Sequence, residues 1–293
     1  MDMYQKRKMR QEKKKNNVEE STETVSLNWY PGHMKKTKEE IRKKIKNIDL
    51  VLEVIDSRFP FLSRLSDLND YVLDKPKIII ATKYDLCDKD KTNKYLDTMR
   101  KNNYVVTTYL NDSNLKSEII KLSKTIIKNS SENKFIRPIR CLVVGIPNVG
   151  KSNIINTLSN KKLAKVENKA GVTRHLNYLE VDPYFYVLDT PGILMKKFNN
   201  YEEEMIFSLC KALPDKLIDY KEVSIFLYNF LKENYPQKLK EVYKLKEFND
   251  LESDLTLLGE LRGKLNKNGV DYFKVYQMIF NDFNNNKFKD ITF

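Results

Sequence analysis

Between Asp49 and Asp189 short β-branched runs alternate with stretches whose apolar residues recur every three or four positions. The apolar runs Leu50–Ile55, Ile78–Ala81, Tyr104–Thr108, Cys141–Val144 and Phe185–Leu188 read as strands; Asp90–Asn102 and Leu115–Lys128 read as helices between them. Such alternation is the signature of a parallel sheet with crossover helices. After Gly192 the β runs stop. Glu202–Ala212, Glu222–Asn234, Leu251–Leu265 and Val270–Phe283 carry helical periodicity, with Pro214, Pro236 and Gly269 as punctuation. The pattern predicts an α/β domain over residues 28–197 and a small all-α domain over residues 198–293. Residues 1–27 have no such periodicity and read as a basic, disordered arm.

Composition narrows the function classes. With 293 residues, 41% hydrophobic and 32% charged, the chain is in the globular range and long enough for two domains. Lys plus Arg number 53 against 40 Asp plus Glu, a formal net charge of +13, which suits a polyanionic partner. Much of that excess sits in the arm, around Lys6–Lys15, and in one short helical stretch holding Lys35, Lys36, Lys38, Arg42, Lys43, Lys44 and Lys46, where Glu39 and Glu40 offset little. No apolar run approaches the roughly 18 residues of a membrane span, so no membrane role is expected. Cys87, Cys141 and Cys210 are scattered, and with His33 and His175 they form neither a disulfide framework nor a zinc site.

The chemistry lies in four local motifs. The strand Cys141–Val144 runs into Gly145-Ile146-Pro147-Asn148-Val149-Gly150-Lys151-Ser152, and a helix follows from Asn153. Strand, glycine-bearing loop and helix are the context of a phosphate cradle. The loop from Pro147 through Asn153 contacts the nucleotide: backbone amides and a helix N-terminus face the phosphates, Lys151 neutralises the β and γ oxygens, and Ser152 offers its hydroxyl to Mg²⁺. Downstream, Asp189-Thr190-Pro191-Gly192 ends a strand, placing Asp189 within reach of the Mg²⁺ shell and the Gly192 amide within reach of the γ-phosphate. Between them Thr173, in Gly171-Val172-Thr173-Arg174, stands where nucleotide switches place a second Mg²⁺ ligand. Upstream, Thr82-Lys83-Tyr84-Asp85 ends another buried strand. A carboxylate there accepts both N1–H and the exocyclic N2–H of guanine, which adenine cannot supply. Asp85 therefore selects guanine, Lys83 covers the base, and Thr82, where asparagine is more usual, can still hydrogen-bond through its hydroxyl. The loop after Thr108 should add a backbone contact to the base, but residues 109–114 single out no residue.

The order of these pieces is unusual: the base-reading motif precedes the phosphate loop, the reverse of an ordinary small GTPase, which implies a circularly permuted P-loop GTPase domain. With Asn28-Trp29-Tyr30-Pro31-Gly32-His33-Met34 before the basic helix and Asp56-Ser57-Arg58 after the first strand, the chain resembles the RbgA/YlqF family of circularly permuted ribosome-assembly GTPases from about Asn28 onward. Ser57 stands where the family more usually has alanine.

The resemblance implies GTP hydrolysis during late assembly of the large ribosomal subunit, with the precursor subunit and its rRNA as partners, and no DNA. It points to the bacterial cytoplasm, or the mitochondrion of a eukaryote, and a monomer is expected. A Ras-like enzyme carries its water-orienting glutamine after this glycine; here the residue is Ile193. The resemblance assigns the catalytic role to His33 instead, and likens Asn148 to the asparagine that holds K⁺ in potassium-activated GTPases. Ile193 leaves an alternative open, a nucleotide-gated RNA-binding scaffold with negligible hydrolysis. The permuted order argues against a signalling or tRNA-modifying GTPase.

Overall fold

The computed structural model describes residues 32–130, 137–159, 177–193 and 198–293. Its first half runs α1 (Gly32–Lys44), β1 (Leu50–Asp56), the short α2 (Asn69–Val72), β2 (Lys77–Thr82), α3 (Lys89–Arg100), β3 (Tyr104–Thr107), α4 (Leu115–Ser130), β4 (Ile139–Val144), α5 (Lys151–Ser159), β5 (Asn177–Asp182) and β6 (Phe185–Asp189). Then follow α6 (Tyr201–Leu209), α7 (Tyr220–Asn234), α8 (Pro236–Tyr243), α9 (Leu251–Leu261), a hairpin of β7 (Leu265–Asn266) and β8 (Gly269–Val270), and α10 (Tyr272–Asn284). Six strands form one sheet, in the order β3-β2-β1-β4-β6-β5, parallel except for β5. Among the described residues no helix is long and apolar enough to cross a membrane.

β1 is buried along its whole length, as a central strand covered on both faces must be. Alternation divides β2: Ile78 and Ile80 join the main core, whereas Ile79 and Ala81 meet Leu96 and Met99 of α3 in a separate cluster. The main core continues from the sheet into Val223, Leu227 and Leu231 of α7 and Val275, Ile279 and Phe283 of α10. Side-chain oxygens start these helices. Asp88 accepts from the Lys91 amide at α3, Asn200 from Glu203 at α6, Asp219 from Lys221 at α7 and Asp271 from Lys274 at α10.

The structure departs from the sequence pattern at three points. Antiparallel β5 has no continuous apolar run: Tyr178 is exposed and Val181 buried, the alternation of a half-covered edge strand. Pro236, expected as punctuation, does mark the break between α7 and α8, and it opens α8 as its first residue, where its missing N–H costs nothing. Strand structure also returns after Gly192, in the two-residue pairing of β7 with β8. Lys38, grouped with the exposed basic residues, is buried; its ammonium bonds the Asp67 carboxylate and lies 5.3 Å from the Tyr71 ring centre, fastening α1 to the segment around α2. Lys35, Lys36, Arg42, Lys43 and Lys46 do face solvent. The arm (residues 1–27), Trp29 and the expected domain boundary at residue 197 lie outside the described residues.

Candidate functional site

Chain direction alone points to a site. From β1 the chain proceeds outward to β2 and β3, while from β4 it proceeds to the opposite edge, so the neighbouring β1 and β4 form a topological switch point. The carboxyl ends of such a strand pair open a crevice for ligands. β4 ends there in the loop 145–150, whose Asn148 has φ +63° and Gly150 φ +100°. The left-handed backbone at Gly150 favours glycine. Lys151 opens α5, is buried, and donates to the Ile146 carbonyl at 2.8 Å. Burial pushes its ammonium pKa down to about 8, partly opposed by the Asp189 carboxylate.

That placement has a pH consequence. An anionic phosphate beside Lys151 stabilises the ammonium, so nucleotide binding takes up a proton once free Lys151 deprotonates. The affinity should be flat below about pH 8 and fall above it, by up to about tenfold per pH unit. GDP titrations between pH 7 and 9.5 read this directly.

β6 runs beside β4 and brings Asp189 to the same end of the sheet, where Asp189 is buried. The next residues are stitched onto the phosphate-loop strand: Thr190 Oγ1 donates to the Val143 carbonyl at 2.7 Å, and the Ile193 amide to the Gly145 carbonyl at 3.2 Å. Gly192 lies so close to Pro147 that an added Cβ would stand 2.8 Å from the Pro147 Cα. Gly192→Ala should therefore pry the two loops apart, weakening a GTP analogue more than GDP at a cost of about 1–3 kcal/mol. Paired titrations with GDP and a non-hydrolysable GTP analogue measure the difference. Ile193 is fully buried, so its side chain has no access to an attacking water.

The third wall is the turn after β2. Thr82 places its hydroxyl 2.6 Å from the Val149 carbonyl and 2.9 Å from the Ile55 carbonyl, a bridge between strand and phosphate loop that answers the absence of asparagine. Lys83 adopts φ +56° and donates to the Asn148 carbonyl at 3.0 Å. Asp85 is exposed beyond it, and among the described residues its carboxylate takes no hydrogen bond. Asn148 donates its side-chain amide to the Lys211 carbonyl at 2.5 Å, joining the phosphate loop to the segment after α6.

Phosphate loop, Asp189–Gly192 and Thr82–Asp85 thus converge. Pro147 and Val149 are buried, and Ser152 and Asn153 half-buried, at the start of α5. Thr173 lies outside the described residues; His33 is in the first turn of α1, with its side chain outside them. Two features escaped the sequence. The Thr108 carbonyl accepts the Tyr84 amide at 3.1 Å, and Thr108 Oγ1 donates to Asp112 at 3.1 Å, so residues 108–112 form the loop beside the Thr82–Asp85 turn. The aspartate four residues after the threonine was the available signal. Asp56 and Arg58 were visible as a motif without a role. Asp56 is fully buried and accepts from Lys83 Nζ at 2.6 Å and Arg58 Nη2 at 2.9 Å. Burial pushes its carboxyl up, but Arg58 and Lys83 outweigh burial and hold it well below the usual carboxylate range.

Comparison with known proteins agrees with this geometry. The family described as "50S ribosome-binding GTPase" matches residues 140–257. Ribosome biogenesis GTPase A of Bacillus licheniformis is 34% identical over 276 residues, covering 91% of this chain and 97% of its own. The chain belongs to the ribosome biogenesis GTPase A family. Mitochondrial ribosome-associated GTPase 1 of Xenopus tropicalis is 31% identical over 252 residues, with 82% and 80% of the two chains covered. Among solved structures, GNP-bound YlqF from T. maritima matches with a TM-score of 0.62 at 25% identity, over 88% of this chain and 97% of that one. GDP-bound YlqF matches with the same score and identity. In this ribosome biogenesis GTPase A relative the family match begins at Arg140, in β4 just before the phosphate loop, and leaves the Thr82–Asp85 turn upstream of it.

Proposed function

We propose that this member of a ribosome-assembly GTPase family binds GTP with Mg²⁺, docks on a precursor of the large ribosomal subunit, hydrolyses GTP there and departs. The observation that carries the reading is the meeting of the Thr82–Asp85 turn with the phosphate loop through the 2.6 Å Thr82–Val149 and 3.0 Å Lys83–Asn148 bonds, which brings the base-reading and phosphate-binding motifs to one place. Ser152 and Asp189 offer hydroxyl and carboxylate oxygens at the ends of adjoining elements, with Thr173 the expected third protein ligand. Hard oxygen donors in such small number suit Mg²⁺, which completes its shell with water and phosphate. The ion neutralises charge developing on the phosphate oxygens. The carboxamide oxygen of Asn148 is the group for K⁺, because its nitrogen is engaged by Lys211.

With Ile193 buried, water activation falls to a residue from elsewhere, and we assign it to His33. The helical segment 198–293 supplies an RNA-facing surface: a cleft of about 410 Å³ is lined by Arg262, Lys264, Lys274, Gln277, Asn281 and Lys287, of which Lys287 is paired with the lining carboxylate of Asp282 at 2.7 Å. With the exposed face of α1 it gives rRNA phosphates two basic anchors. The protein works as a monomer where such ribosomes are built, the bacterial cytoplasm or the mitochondrion, as its bacterial and mitochondrial relatives suggest.

GTP turnover by the full chain, measured in K⁺ and in Na⁺ with and without large-subunit precursors, tests the proposal. Turnover should rise on adding precursors in K⁺, and His33→Ala should abolish the rise while leaving nucleotide binding intact. Turnover equal to protein-free background would leave the nucleotide-gated scaffold, the reading that buried Ile193 favours.

A further inference from the structure

The Asp-Ser-Arg motif after β1 touches none of the phosphate-binding groups, yet it is among the most buried charged clusters described. Asp56 is at the carboxyl end of β1, in register with Thr82 of β2. Its Oδ1 accepts from the backbone amide and Nε of Arg58, both at 3.0 Å. Its Oδ2 is shared between Arg58 Nη2 at 2.9 Å and Lys83 Nζ at 2.6 Å. With both oxygens so engaged, the carboxylate has no freedom to turn, and the Lys83 ammonium is held between it and the Asn148 carbonyl.

Arg58 in turn belongs to a second contact set. Its guanidinium lies 4.5 Å from the ring centre of Phe283, in α10, and its carbonyl accepts the Phe293 amide at 2.8 Å. Phe293 stacks on Phe230 of α7 with ring centres 4.1 Å apart. The segment it belongs to is fastened beside the base-reading turn: the Ile291 amide donates to the Leu86 carbonyl at 3.3 Å, and Thr292 Oγ1 meets Thr92 Oγ1 at 2.7 Å. A chain of direct contacts therefore runs from α10 through Arg58 and Asp56 to Lys83.

We propose that Asp56 and Arg58 are positioning residues of the nucleotide site, through which the seating of the C-terminal helices on Arg58 sets the hold of Lys83 on guanine nucleotides. The proposal rests on the reading of Lys83 as the residue that covers the base. A seated α10 keeps Arg58 clamped on Asp56, so Lys83 is held in place before the nucleotide arrives; a displaced α10 frees Arg58, and Lys83 loses its fixed anchor. A partner that pulls on the helical segment thereby loosens the nucleotide without touching it.

The test is a double-mutant cycle in the full chain, read by fluorescent GDP titration with thermal denaturation alongside. Arg58→Met keeps volume and removes charge. It should weaken GDP binding about tenfold in the Lys83 protein and less than about twofold in the Lys83→Met background, because residues acting through one another are not additive. Phe283→Leu, a milder change that carries the comparison if Arg58→Met does not fold, should show a smaller loss that also vanishes in the Lys83→Met background. Equal losses in both backgrounds, or no loss in a folded Arg58→Met or Phe283→Leu protein, would overturn the inference alone. Unchanged GDP affinity in Lys83→Met would overturn the base-site reading and the inference with it.

Discussion

Asp85→Asn should convert a guanosine-selective site into one that prefers xanthosine nucleotides. The Asp85 carboxylate, exposed at the turn and without a hydrogen bond among the described residues, is free to receive a base edge. Guanine presents two donors to it, N1–H and the exocyclic amine, and each charge-assisted bond is worth more than a neutral one. Asparagine keeps one acceptor and substitutes an NH₂, which faces the exocyclic amine donor to donor. Loss of one charged partner in a desolvated site costs about 2–5 kcal/mol, so GDP affinity should fall roughly 30- to 4,000-fold. Xanthine has an oxygen at C2, which the new amide can serve, so xanthosine diphosphate should bind the variant better than GDP does. Competition titrations with the two diphosphates give the result; unchanged GDP preference would place base recognition elsewhere.

What the sequence disclosed and concealed follows from the range of the interactions. The five apolar strands were legible because short β-branched runs are local signals, although the run Tyr104–Thr107 turned out to be a half-exposed edge strand, and the phosphate loop was legible because its chemistry occupies consecutive residues. β5 was not, since an edge strand covered on one face shows only Leu179 and Val181 to the core. The partial misreading of Lys38 has the same origin: lysine spacing reports a charged helix but not which side meets Asp67 and Tyr71. The role of Asp56 was hidden because its partner Lys83 is distant in sequence and adjacent only through the β1–β2 register. The tie between Asn148 and the Lys211 carbonyl carries no sequence signal, because a backbone acceptor is present at every residue.

Lys151→Met should weaken nucleotide binding severely while making the nucleotide-free protein more stable, two effects of opposite sign. The ammonium is buried, its hydrogen bond among the described residues goes to the neutral Ile146 carbonyl, and burial has lowered its pKa to about 8. A lysine whose charged form is disfavoured in the fold costs stability at every pH below that value. Replacing it with a flexible apolar chain removes that cost, a gain of about 0.5–2 kcal/mol near pH 7 of the kind expected where function has been kept against stability. The gain should shrink as the pH rises from about 8 through the ordinary lysine pKa near 10.5, where the ammonium is lost from folded and unfolded chains alike. On the proposed site the phosphate oxygens would lose their buried cation in the same protein, so GDP affinity should fall by about 2–5 kcal/mol, and a GTP analogue should lose more if Lys151 serves the γ as well as the β oxygens. Thermal denaturation at pH 7 and pH 10, together with nucleotide titration, separates the two effects. A variant that lost stability and nucleotide together would show that Lys151 serves the fold, and a variant that kept nucleotide would remove the loop 145–152 from phosphate binding.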